Sequence, residues 1–558
     1  MTALPDTDAK LAANGLAGET PALTGPQTLP KRPERGEEIE LRIDSLAHGG
    51  EGVARYGDTP CGAHGAGYVV FVSGAVPGDT VRAVVSKRKR SYAHARSVQI
   101  VQPSPERIAP TATHPGVAWQ VLPYERQLQI KREQVEDALR RIGRLEGFEM
   151  EDIVPALAQW RYRNKLEYSF GQDEDGALVC GFHASGGRNM VEPIEDCLLA
   201  SERGNRAREA ALRWCREQGL LAWSRGGRPG GGRAPRREHE EQGAGASDHG
   251  DAPRRSREDR TGPAPDGRPF LRNLVVREGR HSGMLQIRLV TTDGELDAGS
   301  LAAALVAELG PDPGIPWRAQ AGEATVSGVL WTRSSSLAET TMGGETELVW
   351  GDAELPERLA IRPVPGGAPP PERASMAELD LRISSEAFFQ TNTEMAEVLY
   401  GIVADYAALE GWERVYDLYS GIGTIALTLA PRAGELWGIE IVEQAVADAI
   451  AAAKRNDVTN AHFFAGDARL ALPELIERAG KPDVVVVDPP RAGLSQKVVR
   501  RIIDASPKRI VYVSCNPTTL APNAAQLVEA GWRLVKVRPV DMFPQTPHIE
   551  CVALLERG

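Results

Sequence analysis

Three residues near the C-terminal end have the types and the spacing for covalent chemistry. Cys515 follows the apolar strand Ile510–Val513, and Asn516 and Pro517 end that strand. The thiolate is the reactive form of cysteine, and the carboxyl ends of strands are where α/β sheets hold their ligands. Cys515 therefore reads as a nucleophile, against the alternative of a small buried hydrophobe. Asp488 ends another apolar run and precedes Pro489 and Pro490. Those prolines also serve as a plain strand stop, but the place of Asp488 at a strand's carboxyl end favours a functional role. Glu550 opens a final strand after Phe543–Ile549. A carboxylate at that lip could act as a general base; taken alone, Glu550 reads as a surface acid.

The elements upstream supply a place for a nucleoside-bearing ligand. Arg414–Tyr419 is a buried strand, and Ser420–Ala426 is a glycine turn leading into the helix Ile425–Ala430. Gly421 and Gly423 let the backbone pass close to a ligand, and the helix start offers free N–H groups. Glu435–Glu440 is a second strand ending in an acid about 20 residues on, where Glu440 could accept hydrogen bonds from two ribose hydroxyls. On the turn alone a nicotinamide enzyme stays open. Asp467 follows a further strand, where an adenine amino group could be read. The turn containing Asp417, Tyr419, Gly421 and Gly423, paired with the later Asp488-Pro489-Pro490, resembles that of S-adenosylmethionine methyltransferases. Strands alternate with helices from about Leu381, which predicts a parallel α/β sheet.

The 558 residues suffice for two to four domains, and 42% apolar with 25% charged content is that of an ordinary soluble protein. A net charge of -11 argues against a protein that coats nucleic acid indiscriminately, yet leaves room for a local basic patch. The six cysteines form no CxxC pair, which suits a reducing cytosol, and a cytoplasmic location is expected. The polar start has no signal-peptide pattern, and no apolar run approaches membrane-spanning length.

The expected organisation is a disordered tail over 1–36, a small OB-like β-barrel over 37–100, a central α+β region over 101–380, and a Rossmann-like α/β domain over 381–558. Within the central region, 224–269 is rich in Arg, Gly, Pro and Ser with almost no large apolar residues, and reads as a disordered insertion. Its Arg-Gly content could help hold RNA, but a tolerated surface insertion is the simpler reading. Small barrels of this kind often bind single-stranded nucleic acid. The run Ser86–Arg96 adds cations around Tyr92, which could contact phosphate and stack on a base, or could be a solvated hairpin. A helix is expected over Leu122–Gly143. Arg161, Arg163 and Lys165 form a second cationic cluster, a phosphate contact or a solvated face.

Two resemblances sharpen this reading. Ser45–Arg55, Phe71–Asp79 and Ser104–Arg107 are similar to the TRAM domain, an RNA-binding barrel. Phe388–Asn392, Asp417–Thr424, Gly438–Glu440, Asp488–Arg491, Ser514–Pro517 and His548–Glu550 resemble the RNA uracil-5-methyltransferases, and with the barrel they resemble the ribosomal-RNA branch. That resemblance implies that Gln390, Tyr419, Glu440 and Asp488 bind S-adenosylmethionine, joined by Asp467. It implies Cys515 as nucleophile, Glu550 as base, and RNA, 23S rRNA in the first place, as partner of a monomeric enzyme. Many relatives hold an iron–sulfur cluster through three closely spaced cysteines and a fourth. Here Arg107–Gln120 contains no cysteine and only Cys197 matches, so no cluster is expected. His114, near the missing ligands, reads as a loop histidine. An RNA-binding protein that keeps the fold without catalysis, a transfer-RNA enzyme, and a methyltransferase acting on cytosine or an exocyclic amine are the competing readings.

Overall fold

Ile39, Leu41 and Ile43 alternate with Glu38, Glu40 and Arg42, and this period of two decides the first element. In a computed structural model describing residues 32–57, 67–184, 190–223, 267–310, 325–338, 340–361 and 378–558, those three apolar residues are buried on β1 (Glu38–Leu46). With β2 (Gly52–Tyr56), β3 (Tyr68–Ser73), β4 (Thr80–Arg88) and β5 (Tyr92–Gln102) it forms a closed barrel in the order β1-β2-β3-β5-β4. The tail before residue 32 and the insertion over 224–266 lie outside the described residues.

Asp79 ties the barrel to the chain that leaves it. Its fully buried carboxylate accepts from the amides of Val76 and Ser104 and takes both arms of Arg107 at 2.8 Å. Burial opposes the charge, but the Arg107 guanidinium and the two amides outweigh it and hold the carboxyl below its ordinary value. One expectation about the barrel is corrected. Tyr92 does not present its ring for stacking on a base; it is buried against Phe71 and His94, and its carbonyl accepts from Tyr68. The neighbouring Lys87, Arg88, Arg90 and Arg96 are exposed.

Helix α1 (Tyr124–Asp137) leads from the barrel to the short strand β6 (Glu149–Met150). The central sheet follows, with β7 (Lys165–Gln172), β8 (Leu178–His183), β9 (Val191–Pro193), β10 (Leu271–Glu278), β11 (Leu285–Thr291), β12 (Val326–Arg333) and β13 (Glu345–Gly351). Its order is β13-β12-β11-β10-β7-β8-β9. Helices α2 (Glu202–Glu217) and α3 (Ala298–Leu309) contribute to the apolar core on one face. Three buried arginines, Arg272, Arg277 and Arg288, reach from the sheet to the carbonyls of loops 334–341 and 384–387. The cluster of Arg161, Arg163 and Lys165 is not one strand of free cations. Arg161 precedes the strand with φ 54° and pairs with Asp196, Arg163 lies over Phe543, and Lys165 pairs with Glu167.

Strands β14 (Glu354–Ala360) and β15 (Glu378–Ser384) form a separate antiparallel pair, and the last sheet is built after it. Its elements are α4 (Thr393–Ala407), β16 (Arg414–Leu418), α5 (Thr424–Leu429), β17 (Glu435–Glu440), α6 (Glu443–Arg455), β18 (Ala461–Ala465), α7 (Ala468–Ala479) and β19 (Val484–Val487). They continue with α8 (Gln496–Ala505), β20 (Arg509–Ser514), α9 (Pro517–Glu529), β21 (Trp532–Val540) and β22 (Glu550–Arg557). The order is β18-β17-β16-β19-β20-β22-β21-β6, parallel from β18 to β20, with β22 reversed between β20 and β21. The order reverses direction beside β16, the switch point at which such sheets open a crevice. Strand β6, far upstream in sequence, closes the far edge. No helix among the described residues is long and apolar enough to cross a membrane.

Replacing Asp79 by Ala strands the Arg107 guanidinium and two amides. This should cost the barrel about 3 kcal/mol, read by hydrogen exchange as roughly a hundredfold loss of protection in the amides of β1 and β4.

Candidate active site

Sheet register brings three of the candidate residues together. Ser514 of β20 pairs with Cys551 of β22. The two strands run in opposite directions, so the residue after Ser514 and the residue before Cys551 lie at the same lip of the sheet. They are Cys515 and Glu550. β19 runs parallel to β20 on the other side, with Val487 opposite Tyr512, so Asp488 emerges at the same edge. Asn516 fixes the turn after Cys515: its side chain caps α9 at Thr518 and donates to the Arg491 carbonyl at 3.0 Å.

This edge is acidic and poorly solvated. Glu550 is 4% exposed. Burial pushes its carboxyl well above the ordinary range, the charge of Asp488 adds to this, and Arg491 opposes it. Burial raises Asp488 to about 7. Cys515 is half-buried, and its thiol is pushed up to about 12, first by burial, then by Glu550 and Asp488, with Arg491 pulling the other way. Low-dielectric surroundings penalise every anion here, and Cys515 and Glu550 share one opposing cation, Arg491.

The glycine turn after β16 is strained in the way a ligand cradle requires. Tyr419 has φ 69°, Gly421 φ 53° and Gly423 φ 81°. The two glycines do different work. A Cβ at Gly421 would meet nothing within 4 Å, so this glycine faces open space. A Cβ at Gly423 would lie 2.9 Å from the Phe463 ring, so this one permits close packing against β18. The turn is locked to β17 by Glu440, whose Oε2 accepts from the Gly421 amide at 3.0 Å and whose Oε1 accepts from the Val442 amide at 2.9 Å. Each oxygen keeps a further lone pair for a hydroxyl donor. Burial raises the Tyr419 phenol, as do the charges of Asp467 and Glu440.

Asp467 sits at the carboxyl end of β18 but is already engaged. It caps α7 through a 2.8 Å bond from the Arg469 amide, and it pairs with the Arg469 guanidinium at 3.4 Å. Sequence reasoning missed two features of the cleft. Ile441 and Val442, beside Glu440, are 66% and 53% exposed, an apolar flank such as a planar base can cover. Asp417, at the end of apolar β16, is fully buried with neither oxygen hydrogen-bonded, although the nearby Ala426 amide favours its charged form. Burial and the charge of Asp488 raise it to about 8. An acid inside the run Arg414–Leu418 was the signal, since buried charges persist only with a partner or a task.

Gln390 comes from outside the parallel sheet and is 7% exposed. The central region holds it in place. Asn164 donates through Nδ2 to the Gln390 carbonyl and to Thr393 Oγ1, both at 2.8 Å, and its own amide donates to the Thr391 carbonyl. Arg277 grips the Ser384 and Ala387 carbonyls just upstream.

His114 and Cys197 meet in the core of the central region, away from this cleft. His114 Nδ1 accepts from the Gly116 amide, so Nε2 carries the proton and donates to Cys197 Sγ at 3.2 Å. The ring packs on Phe182, and burial lowers His114 to about 4, which keeps it neutral. Among the described residues no group of three His, Cys, Asp or Glu side chains is arranged to hold a metal ion.

The donor set suits a cationic, nucleoside-bearing molecule. Raised Asp488 emerges at this edge with unpartnered Asp417 buried behind it, the Gly421 turn leaves room, and Glu440 with its apolar neighbours offers a hydroxyl acceptor beside a flat surface. Comparison with known proteins points the same way. Residues 374–558 match the family profile tRNA (Uracil-5-)-methyltransferase, and residues 32–98 match the TRAM domain. An uncharacterized RNA methyltransferase of Thermosynechococcus vestitus is 34% identical over 94% of this chain and 98% of its own length. One from Bacteroides thetaiotaomicron is 33% identical over 88% and 96%. In structure, the chain is similar to the Pyrococcus abyssi tRNA (uracil-54, C5)-methyltransferase solved with S-adenosyl-L-homocysteine: TM-score 0.64, 24% identity, 92% of this chain and 99% of that one. The chain belongs to the uracil-5 family of S-adenosylmethionine-dependent RNA methyltransferases.

Proposed function

We propose that this protein methylates C5 of a uridine in 23S rRNA through a covalent bond between Cys515 and C6 of the base. The observation that carries this reading is the pairing of Ser514 with Cys551, which sets a thiol and a carboxyl side by side at one lip of the sheet. A binding protein needs neither, and a methyltransferase acting on an exocyclic amine needs no cysteine.

Uracil C5 is a weak nucleophile. Addition of the Cys515 thiolate to C6 moves the C5–C6 π pair toward C5 and O4, giving an enolate. S-adenosylmethionine, the second substrate, supplies an electrophilic methyl group on a sulfonium. The C5 electron pair attacks that methyl carbon, the S–CH3 bond breaks and neutral S-adenosylhomocysteine leaves; Glu550 then takes the C5 proton. The C–H pair restores the C5–C6 double bond, and Sγ leaves as thiolate. A carboxylate suffices because that proton lies α to a carbonyl. The target base must be unpaired or flipped to reach the cleft. In this reading Gln390, Tyr419, Gly421, Gly423, Glu440 and Asp488 hold the methyl donor. Asp467 contributes with whatever acceptor capacity its capping bond leaves.

The raised acids fit these roles. A sulfonium held beside Asp488 would favour the charged form of that acid and so offset the burial that raises it, and its positive charge would oppose the anions that raise Cys515. A transfer-RNA substrate is the second reading. It rests on the Pyrococcus abyssi enzyme, whose similarity spans 92% of this chain.

Incubation with methyl-labelled S-adenosylmethionine and unmodified 23S rRNA or transfer RNA, followed by digestion to nucleosides, should place the label in 5-methyluridine. Cys515→Ala should abolish it, a loss of at least about ten-thousandfold. Glu550→Gln should instead trap a methyl-labelled protein–RNA species stable on a denaturing gel. Label in any other nucleoside would contradict the proposal.

The thiol gives a pH test. Its raised pKa means that the reactive fraction keeps growing with pH beyond the range of an ordinary cysteine. Alkylation of Cys515 in the free protein should therefore climb about tenfold per pH unit from about pH 7 to about pH 10, followed by mass spectrometry. A plateau below about pH 9 would contradict it.

A further inference from the structure

Glu550 is carried by β22, but the path that delivers it is set elsewhere. The segment 541–549 before it is gripped mainly through side chains of helix α1. Asp541 is fully buried, with Oδ1 2.5 Å from Lys131 Nζ and Oδ2 accepting from Tyr124 Oη at 2.8 Å. Lys131, itself fully buried, also donates to the Phe543 carbonyl at 3.0 Å. Gln127 clasps Gln545 in both directions, accepting from its amide and donating to its side chain. The barrel linker and the other units close the ring. Trp119 donates its amide to the Gln545 carbonyl, Tyr162 its hydroxyl to the Pro544 carbonyl, and Asn392 its side chain to the Met542 carbonyl. Gln545 is held at φ 66°.

The two halves of the reacting pair thus have separate anchors. Cys515 is fixed by hydrogen bonds of Asn516 to Ser514 and the Arg491 carbonyl, whereas Tyr124, Gln127 and Lys131 of α1 direct theirs to Asp541, Phe543 and Gln545; α1 meets the helix capped by Asn516 through apolar packing. A buried ion pair is a poor device for stability, because apolar residues of similar volume do as well or better; its use is to specify one arrangement. We infer that Lys131, acting through Asp541 and Phe543, is a positioning residue that sets Glu550 for removal of the C5 proton, while addition and methyl transfer are governed from the other wall. The inference rests on the covalent route proposed above. Since α1 is the next helix after the barrel, and Trp119 of the linker between them holds the Gln545 carbonyl, whatever holds the barrel on RNA also bears on the element that aims the base.

The two steps separate on a denaturing gel. In the full chain, Lys131→Met combined with Asp541→Asn removes both charges and leaves no unpaired ion in the core. With labelled S-adenosylmethionine and substrate RNA, this variant should raise the ratio of methyl-labelled covalent protein–RNA species to released 5-methyluridine at least about tenfold over wild type. Tyr124→Phe, a milder loss at the same carboxylate, should move that ratio in the same direction. A folded double variant in which covalent species and product fall together, with the ratio unchanged, overturns the inference. If the double variant does not fold, Tyr124→Phe decides by the same ratio. If Glu550→Gln traps no covalent species while 5-methyluridine still forms in wild type, the covalent route has failed, and the positioning role falls with it.

Discussion

One reversed strand governs this molecule. In a sheet of parallel strands every carboxyl end lies at the same edge, and only those ends can contribute to the crevice. Placing β22 antiparallel between β20 and β21 brings an amino-terminal residue, Glu550, to that edge too. Cys515 and Glu550, the proposed nucleophile and base, thus come from neighbouring strands and face one another across a single step of the register. A shift of one residue in that pairing would turn Glu550 to the opposite face of the sheet. The rest of the C-terminal half holds this pairing in place. Tyr512 and Val513 are buried in β20, Cys551 and Val552 in β22, and the segment 541–549 is fastened from several sides.

The cleft is built against its own charges. Asp417, Asp488 and Glu550 all have raised pKa values because burial outweighs any neighbouring cation, and Cys515 is raised with them. Such a site is frustrated when empty of positive charge, and a cationic methyl donor relieves that frustration. Arg491, the one cation acting on both Cys515 and Glu550, keeps the balance from tipping wholly toward neutral groups.

Much of this was readable in the sequence because the candidate residues sit at strand ends, and strand ends are marked by glycine, proline and asparagine. Cys515 before Asn516-Pro517, Asp488 before two prolines, and Glu440 after the Gly421–Gly423 turn all lie where the pattern placed them. What the sequence hid were long-range partners. Asp467 capping α7 through Arg469 was a local signal, but nothing local tells that Tyr92 turns inward beside Phe71, or that Arg161 has Asp196 waiting. Lys131 fell on the apolar stripe of its helix, and its partner Asp541 lies some 400 residues away in the chain. Strand β6 pairs across a similar gap. Such contacts are set by tertiary packing, which local periodicity does not encode.

The central claim is that the reaction occurs at C5 of uracil. RNA carrying tritium at that carbon reports on it directly, because the only route to 5-methyluridine ends with loss of the C5 hydrogen. With S-adenosylmethionine present, the wild-type protein should release tritium to water in step with the methyl groups it transfers, and Cys515→Ala should release none. Methyl transfer that leaves the tritium in the RNA would put the new carbon elsewhere on the nucleotide and contradict the account.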